Sequence, residues 1–220
     1  MLDTRRERQL MAESSIEKRL GKSKAAKFYH VGMGGFHTAL AVEIENIAVL
    51  NASGVLSASG VLMSPPGGRS FPPLPEPPRL LIDPSLGRAP ADWELFDDFW
   101  LVSDRMKRVL ETVDREGVAF LRCETRSLGR KPAPDYWLCD VIRILDAIDE
   151  EKSKGKILDD GTEYRRYDIT ATFSLAFKEE AVGSAHIFRP RFWGNIICDQ
   201  VMKDACRGMR GIRFRDASVW

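Results

Sequence analysis

The chain uses one pattern twice, and that repetition constrains its fold more than any other feature. Leu101-Val102-Ser103-Asp104 leads into an amphipathic run ending at Gly117, followed by Val118-Ala119-Phe120-Leu121-Arg122. Ile196-Ile197-Cys198-Asp199 leads into a second run ending at Gly211, followed by Ile212-Arg213-Phe214-Arg215. Asp to Gly is 13 positions in the first copy and 12 in the second. Each copy reads as apolar strand, helix cap, helix, glycine stop, strand. The units 101–122 and 196–215 predict an α+β fold in which both feed one largely antiparallel sheet, with Phe120 and Phe214 in its core. The pattern fixes architecture and contains no chemistry.

Composition narrows the class further. A chain of 220 residues with 44% apolar and 30% charged residues is an ordinary globular chain, long enough for one large domain. Lys plus Arg (33) nearly balances Asp plus Glu (32), so no global field calls for nucleic acid. The four cysteines are too sparse for a disulfide framework and form no CxxC pair, which fits reduced thiols in a cytoplasmic protein. Residues 1–27 carry eight Lys/Arg against four Asp/Glu with no apolar run behind them, so neither a secretion signal nor a membrane span is expected.

Along the chain, residues 1–27 read as a flexible or helical extension and 28–216 as the folded domain. Lys27–Val31 predicts the first strand, ended by Gly32-Met33-Gly34-Gly35, and Ala41–Leu50 is a second apolar segment. ASGVLS (52–57) is followed at once by ASGVLM (58–63), a local duplication too short for a solenoid. Nine of the twelve prolines fall between 64 and 90. That composition predicts an extended surface strap anchored by Phe71, Leu74, Leu80, Leu81 and Ile82. Thr125–Asp135 reads as a polar loop. Tyr136–Leu145 predicts a strand, although a helix also fits its apolar spacing, and Ile169–Lys178 and Ala185–Phe192 predict two more strands.

Chemistry-bearing residues are few. Cys198 stands at the start of the second helix, where free amides lower a thiol pKa, with His186 upstream and Asp199 beside it. A thiol- or metal-dependent hydrolytic enzyme built on Cys198 and His186 is one reading. The repeat opposes it, because Ser103 fills the slot matched to Cys198 and Asp follows in both copies, as at a cap. Cys198 is therefore expected to be inert. His30, His37 and His186 are too scattered for a metal-ligand motif, and no cofactor is expected. Asp146, Asp149, Glu150 and Glu151 form one acidic group without a catalytic signature. Residues 92–100 hold four acids and four aromatics and no basic residue. That make-up suits a recognition surface, with Trp93 and Trp100 as anchors and Glu94, Asp97 and Asp98 opposing a basic partner. Aromatics in the core with the acids in water is the competing reading.

At YWLCDVIRILDAIDEEKS and AHIFRPRFWGNIICDQVMKDACRGMRGIRFRD the chain resembles the myxobacterial-type immunity-protein family, which is linked to bacterial polymorphic toxin systems. The resemblance covers about Phe28 to Asp216. It implies a protein that binds and neutralises a cognate toxin domain encoded nearby, with no catalytic residues to carry over, no membrane and no direct nucleic-acid contact. The 1–27 extension and the tandem units have no counterpart in it.

Overall fold

The computed structural model describes residues 26–34, 40–52, 71, 74–96, 99–129, 132–154, 156–158, 166–168 and 174–219. Along the chain lie β1 (Phe28–Met33), β2 (Val42–Ile44), α1 (Ile47–Ala52), β3 (Arg79–Ile82), β4 (Trp93–Phe96) and β5 (Phe99–Ser103). Next come α2 (Asp104–Asp114), a 3₁₀ turn (Arg115–Gly117), β6 (Val118–Arg122), β7 (Glu124–Ser127), β8 (Tyr136–Val141) and β9 (Ile144–Leu145). The remainder is β10 (Lys156–Leu158), β11 (Arg166–Asp168), α3 (Glu179–Val182), β12 (Ile187–Pro190), β13 (Ile196–Asp199), α4 (Gln200–Ala205) and β14 (Ile212–Asp216). This is an α+β domain rich in antiparallel pairing. Only β3–β7 and β9–β12 pair in parallel among the named strands.

Both predicted units fold as strand, helix, strand, but they lie in different sheets rather than one. The first belongs to a four-stranded sheet ordered β4-β5-β8-β6, the second to a five-stranded sheet ordered β14-β1-β13-β12-β9. In each, the unit's two strands are separated by an antiparallel strand from elsewhere: β8 between β5 and β6, β1 between β13 and β14. A hairpin partner flanks each first strand, β4 beside β5 and β12 beside β13. The two halves therefore repeat one arrangement, with the central strand supplied after the unit in one half and before it in the other.

The register fixes which residues correspond. Trp137 faces Val102 and Arg122, as Tyr29 faces Cys198 and Asp216. Phe120 then matches Phe214 and Val118 matches Ile212, as the sequence pattern implies. The caps correct the pattern by one residue. Ser103 accepts a hydrogen bond from the Met106 amide (3.2 Å), and Asp199 accepts one from the Met202 amide (2.9 Å). The slot equivalent to Ser103 is thus Asp199, and Cys198 matches Val102 in the strand interior. Apolar side chains one and two turns on, Met106 with Leu110 and Met202 with Cys206, are all buried. Val201 is 53% exposed because it occupies the position of exposed Arg105.

One core joins the halves. Trp93, Val102, Met106, Leu110, Val118, Cys139 and Val141 from one meet Tyr29, Val31, Ile187, Ile196, Cys198, Met202 and Cys206 from the other. Phe120 and Phe214 are half-buried at its margin rather than central. The docking is reciprocal. A Cβ on Gly117 would lie 3.0 Å from the Ile187 carbonyl oxygen, and one on Gly211 would lie 2.2 Å from that of Trp93. Ile187 and Trp93 are themselves equivalent, each opposite the residue just before its cap. Only glycine lets each hairpin root come this close to the other half.

The described part of the Pro-rich segment is more than a strap. Phe71 and Leu74 pack against a second core cluster that includes Phe99, Leu101, Tyr136 and Leu138. Beyond them, Arg79–Ile82 forms the middle strand of a sheet ordered β2-β3-β7, with Leu80 fully buried. Its partner β7 runs into the start of the stretch expected to be a polar loop, because pairing with β3 overrides local composition. Tyr136–Val141 is a strand, so the helix alternative fails. In the expected strand at 169–178, the described residues make only isolated bridges, Lys154 to Ser174 and Ile148 to Phe177. The tandem 53–63 units and residues 1–25 lie outside the described residues.

Candidate partner-binding surface

The hairpin β4–β5 carries the acidic-aromatic run. Its register pairs Trp93 with Val102, Leu95 with Trp100 and Phe96 with Phe99. Alternation sends Trp93, Leu95 and Trp100 to one face of the sheet and Glu94, Phe96 and Phe99 to the other. The Trp93 and Trp100 rings stack, with centroids 4.4 Å apart and planes at 25°. Trp93 has no exposed surface, Trp100 is half-buried, and Leu95 beyond it is 44% exposed. Trp100 is thus a ring clamped from beneath, with an edge left for solvent. Asp97 and Asp98 lie outside the described residues.

Two acids of the run, Asp92 and Glu94, turn inward; of these, Glu94 is the one expected to oppose a partner. Glu94 is fully buried and held in a fork by Arg88, Nη1 to Oε1 at 2.5 Å and Nη2 to Oε2 at 2.9 Å, with the Ala91 amide on Oε1 at 2.8 Å. Glu94 holds the Arg88 guanidinium above its ordinary pKa. Asp92 accepts from Ser103 Oγ (2.7 Å), Arg105 Nη2 (2.7 Å) and the Arg210 amide (2.8 Å). Burial alone would raise the Asp92 pKa, but these donors together set it below the carboxylate range. The run lacks basic residues in sequence, yet Arg88 and Arg105 supply them in space, and the Arg210 backbone amide adds a neutral donor. Composition carried no signal for those partners.

The residues singled out for catalysis assemble differently. His186 bonds Asp199 through Nδ1 to Oδ2 at 2.8 Å, and its carbonyl accepts the Asp199 amide at 3.2 Å. The equivalent pair in the first half is Asp92 with Ser103, where the same backbone bond is 3.1 Å. His186 therefore supports a helix cap, as Asp92 does. Cys198 is fully buried and pairs with Ile187, and burial pushes its thiol well above the ordinary value, the reverse of activation. The other thiols are raised the same way, Cys123 and Cys206 to about 12. His30 stacks on Trp193 and meets Asn195 Oδ1 at 3.1 Å; burial lowers its pKa. His37 lies outside the described residues. Among the described residues, no group of His, Cys, Asp and Glu is placed to hold a metal ion. In the second acidic group, Asp149 is tied to Lys152 (2.6 Å) and Glu150 accepts from the Tyr167 hydroxyl (2.7 Å).

The model of an immunity protein family, Imm11, matches residues 35–219. The chain belongs to this immunity protein family. No curated protein matches it. The Imm11 match begins just after β1, although β1 is the central strand of the second half. No helix among the described residues is long and apolar enough to cross a membrane.

Proposed function

We propose that this Imm11 member binds a cognate bacterial toxin domain, encoded nearby, and neutralises it stoichiometrically in the cytoplasm. Membership of the immunity protein family is the observation that carries this reading. An antidote of this kind works by occupying a surface, so it requires a rigid platform rather than a nucleophile. The double-unit core supports that requirement, and so does the burial of Cys198 away from solvent.

The face we assign to the toxin is the open part of β4–β5: the Trp100 edge and Leu95, with Asp97 and Asp98 between the strands supplying negative charge. Trp93 and Glu94 act beneath it, the first as the ring under Trp100 and the second as the anchor of Arg88. A partly desolvated Trp over a rigid base is the kind of residue that concentrates binding energy, while the acids hasten encounter with a basic toxin. Co-expression with the adjacent open reading frame, scored by cell survival, tests the function. Survival must depend on this protein, and the two chains must co-purify. An adjacent product that is harmless alone, or that kills equally in its presence, refutes the proposal.

A further inference from the structure

Strand β14 is an outer edge of the five-stranded sheet. Its ladder with β1 uses Gly211, Arg213, Arg215 and Ala217, since Gly34 donates to the Gly211 carbonyl (2.8 Å) and Ala217 to the Phe28 carbonyl (3.0 Å). The alternation of an antiparallel ladder then turns the backbone groups of Ile212, Phe214 and Asp216 outward. The Asp216 carbonyl is taken by the Val219 amide (3.3 Å), which closes that end. Among the described residues, nothing pairs with the outward groups of Ile212 and Phe214. The side chains alternate too. Ile212 and Phe214 are half-buried against the core, while Arg213 and Arg215 are exposed on the other face. Across the ladder these arginines stand opposite Gly32 and His30, and β1 carries no acidic residue. Two guanidiniums thus rise from one face of an open edge, about 7 Å apart along the strand.

We infer that the β14 edge takes up an extended segment of the toxin with acids at alternate positions, an inference that rests on the toxin-binding reading above. A strand added here sets side chains directly opposite Arg213 and Arg215 in non-hydrogen-bonded pairs, where cross-strand side chains come closest. Acids at those two places form opposite-charge pairs, and the residue between them shares the apolar face of Phe214. The recognised pattern is therefore acid, apolar, acid. Edge arginines discourage strands of like charge and select those of opposite charge. A second copy of β14 paired about Phe214 would set Arg213 against Arg215 twice, so the edge rejects its own kind. A polynucleotide would match the charge, but it offers no alternating amides and carbonyls to meet Ile212 and Phe214, and main-chain pairing is what gives strand addition its affinity. The edge is continuous with the hairpin assigned to the toxin. It begins one residue after Gly211, whose missing Cβ would lie 2.2 Å from the Trp93 carbonyl oxygen at the root of β4.

The full chain is titrated with the capped peptides TDVDVT and TKVKVT, with TDVDVT N-methylated at both valines, and with a single-stranded oligonucleotide. Amide exchange is followed in these mixtures and in the complex with co-purified toxin. TDVDVT should slow exchange at Ile212 and Phe214, and TKVKVT should not. The N-methylated peptide keeps its charge but loses the ladder, so it should bind about tenfold more weakly or worse. Arg213→Glu combined with Arg215→Glu should weaken TDVDVT by about tenfold or more and turn the preference to TKVKVT. Its unfolding midpoint shows that this variant folds. In the toxin complex the same two amides should be protected. The inference is overturned if TDVDVT leaves both amides unchanged, if the N-methylated peptide binds equally well, or if the oligonucleotide displaces TDVDVT. A toxin complex that forms and protects cells while Ile212 and Phe214 exchange as in the free chain overturns it and leaves the toxin-binding reading intact. Absence of any toxin complex overturns both.

Discussion

Replacing Gly211 with Ala tests how the two halves are locked together. Gly211 has φ +87°, and its missing Cβ would sit 2.2 Å from the Trp93 carbonyl oxygen and 2.9 Å from the Ala91 Cβ. The left-handed backbone costs an L-residue about 1–2 kcal/mol. Forcing a methyl into backbone that cannot swing aside adds about 1–3 kcal/mol. Loss of freedom in the unfolded chain returns about 0.4–1 kcal/mol. The net expectation is about 2–4 kcal/mol, a large share of the roughly 5–15 kcal/mol typical of a domain. Gly208→Ala isolates the backbone effect, because Gly208 has φ +80° but nothing within 4 Å of its Cβ position. It should cost about 1 kcal/mol or less. Gly117→Ala has no left-handed strain but meets Ile187 Cγ2 at 2.9 Å and Ile187 O at 3.0 Å, so it should fall between them. Urea unfolding at constant m separates the three, with Gly211→Ala moving the midpoint by about 1 M or more. If Gly211→Ala and Gly208→Ala shift it equally, the close approach between the halves carries no energy and the reasoning fails.

Other expectations follow from the same contacts. Cys198→Ser should cost about 1–3 kcal/mol by burying a hydroxyl in the strand interior, while Cys198→Val, the residue of the matching position, should cost less; equal urea midpoints for the two variants would refute the assignment. Arg88→Met strands the buried Glu94 carboxylate and should lower stability by about 3–5 kcal/mol, and adding Glu94→Gln should recover part of it in the double-mutant cycle. The Asp92 pKa is depressed below 3.8, so the stability it contributes is complete above that value and disappears as pH falls through the folded-state value. Acid unfolding of Asp92→Asn should therefore be the shallower in that window, and identical pH profiles would contradict the network. Combined Asp97→Lys and Asp98→Lys should slow toxin association and blunt its salt dependence, whereas Trp100→Ala should act on dissociation by about 2 kcal/mol; unchanged surface-binding kinetics in both would clear the hairpin.

The local grammar of this chain was legible in its residues. Two strand–helix–strand units, their glycine stops and the matching Phe120 and Phe214 follow from periodicity alone. What could not be read was long-range. Nothing local to 101–122 announces that β8 will part its two strands, or that 28–33 will part those of 196–215. The cap was misplaced by one residue because both copies contain an Asp, and only the amide each side chain accepts separates Ser103 from Asp104. The partners of Glu94 and Asp92 come from Arg88, Arg105 and Arg210, so a run with no basic residue looked uncompensated. Resemblance to an immunity family carried the functional reading; the site residues gave no comparable signal.

The origin of the two central strands gives the halves different histories during synthesis. β8 follows its unit within a few dozen residues, so the first half can close soon after it leaves the ribosome. β1 is made early and must wait for β13 and β14; the Tyr29 hydroxyl meets Gln200 across 171 positions of chain. Loop closure over such a span is slow and has to precede any reward from contacts. The second half should thus be the last to acquire protection in refolding followed by hydrogen exchange. On the function proposed above, protection would begin only once β13 and β14 had been translated and had closed on β1.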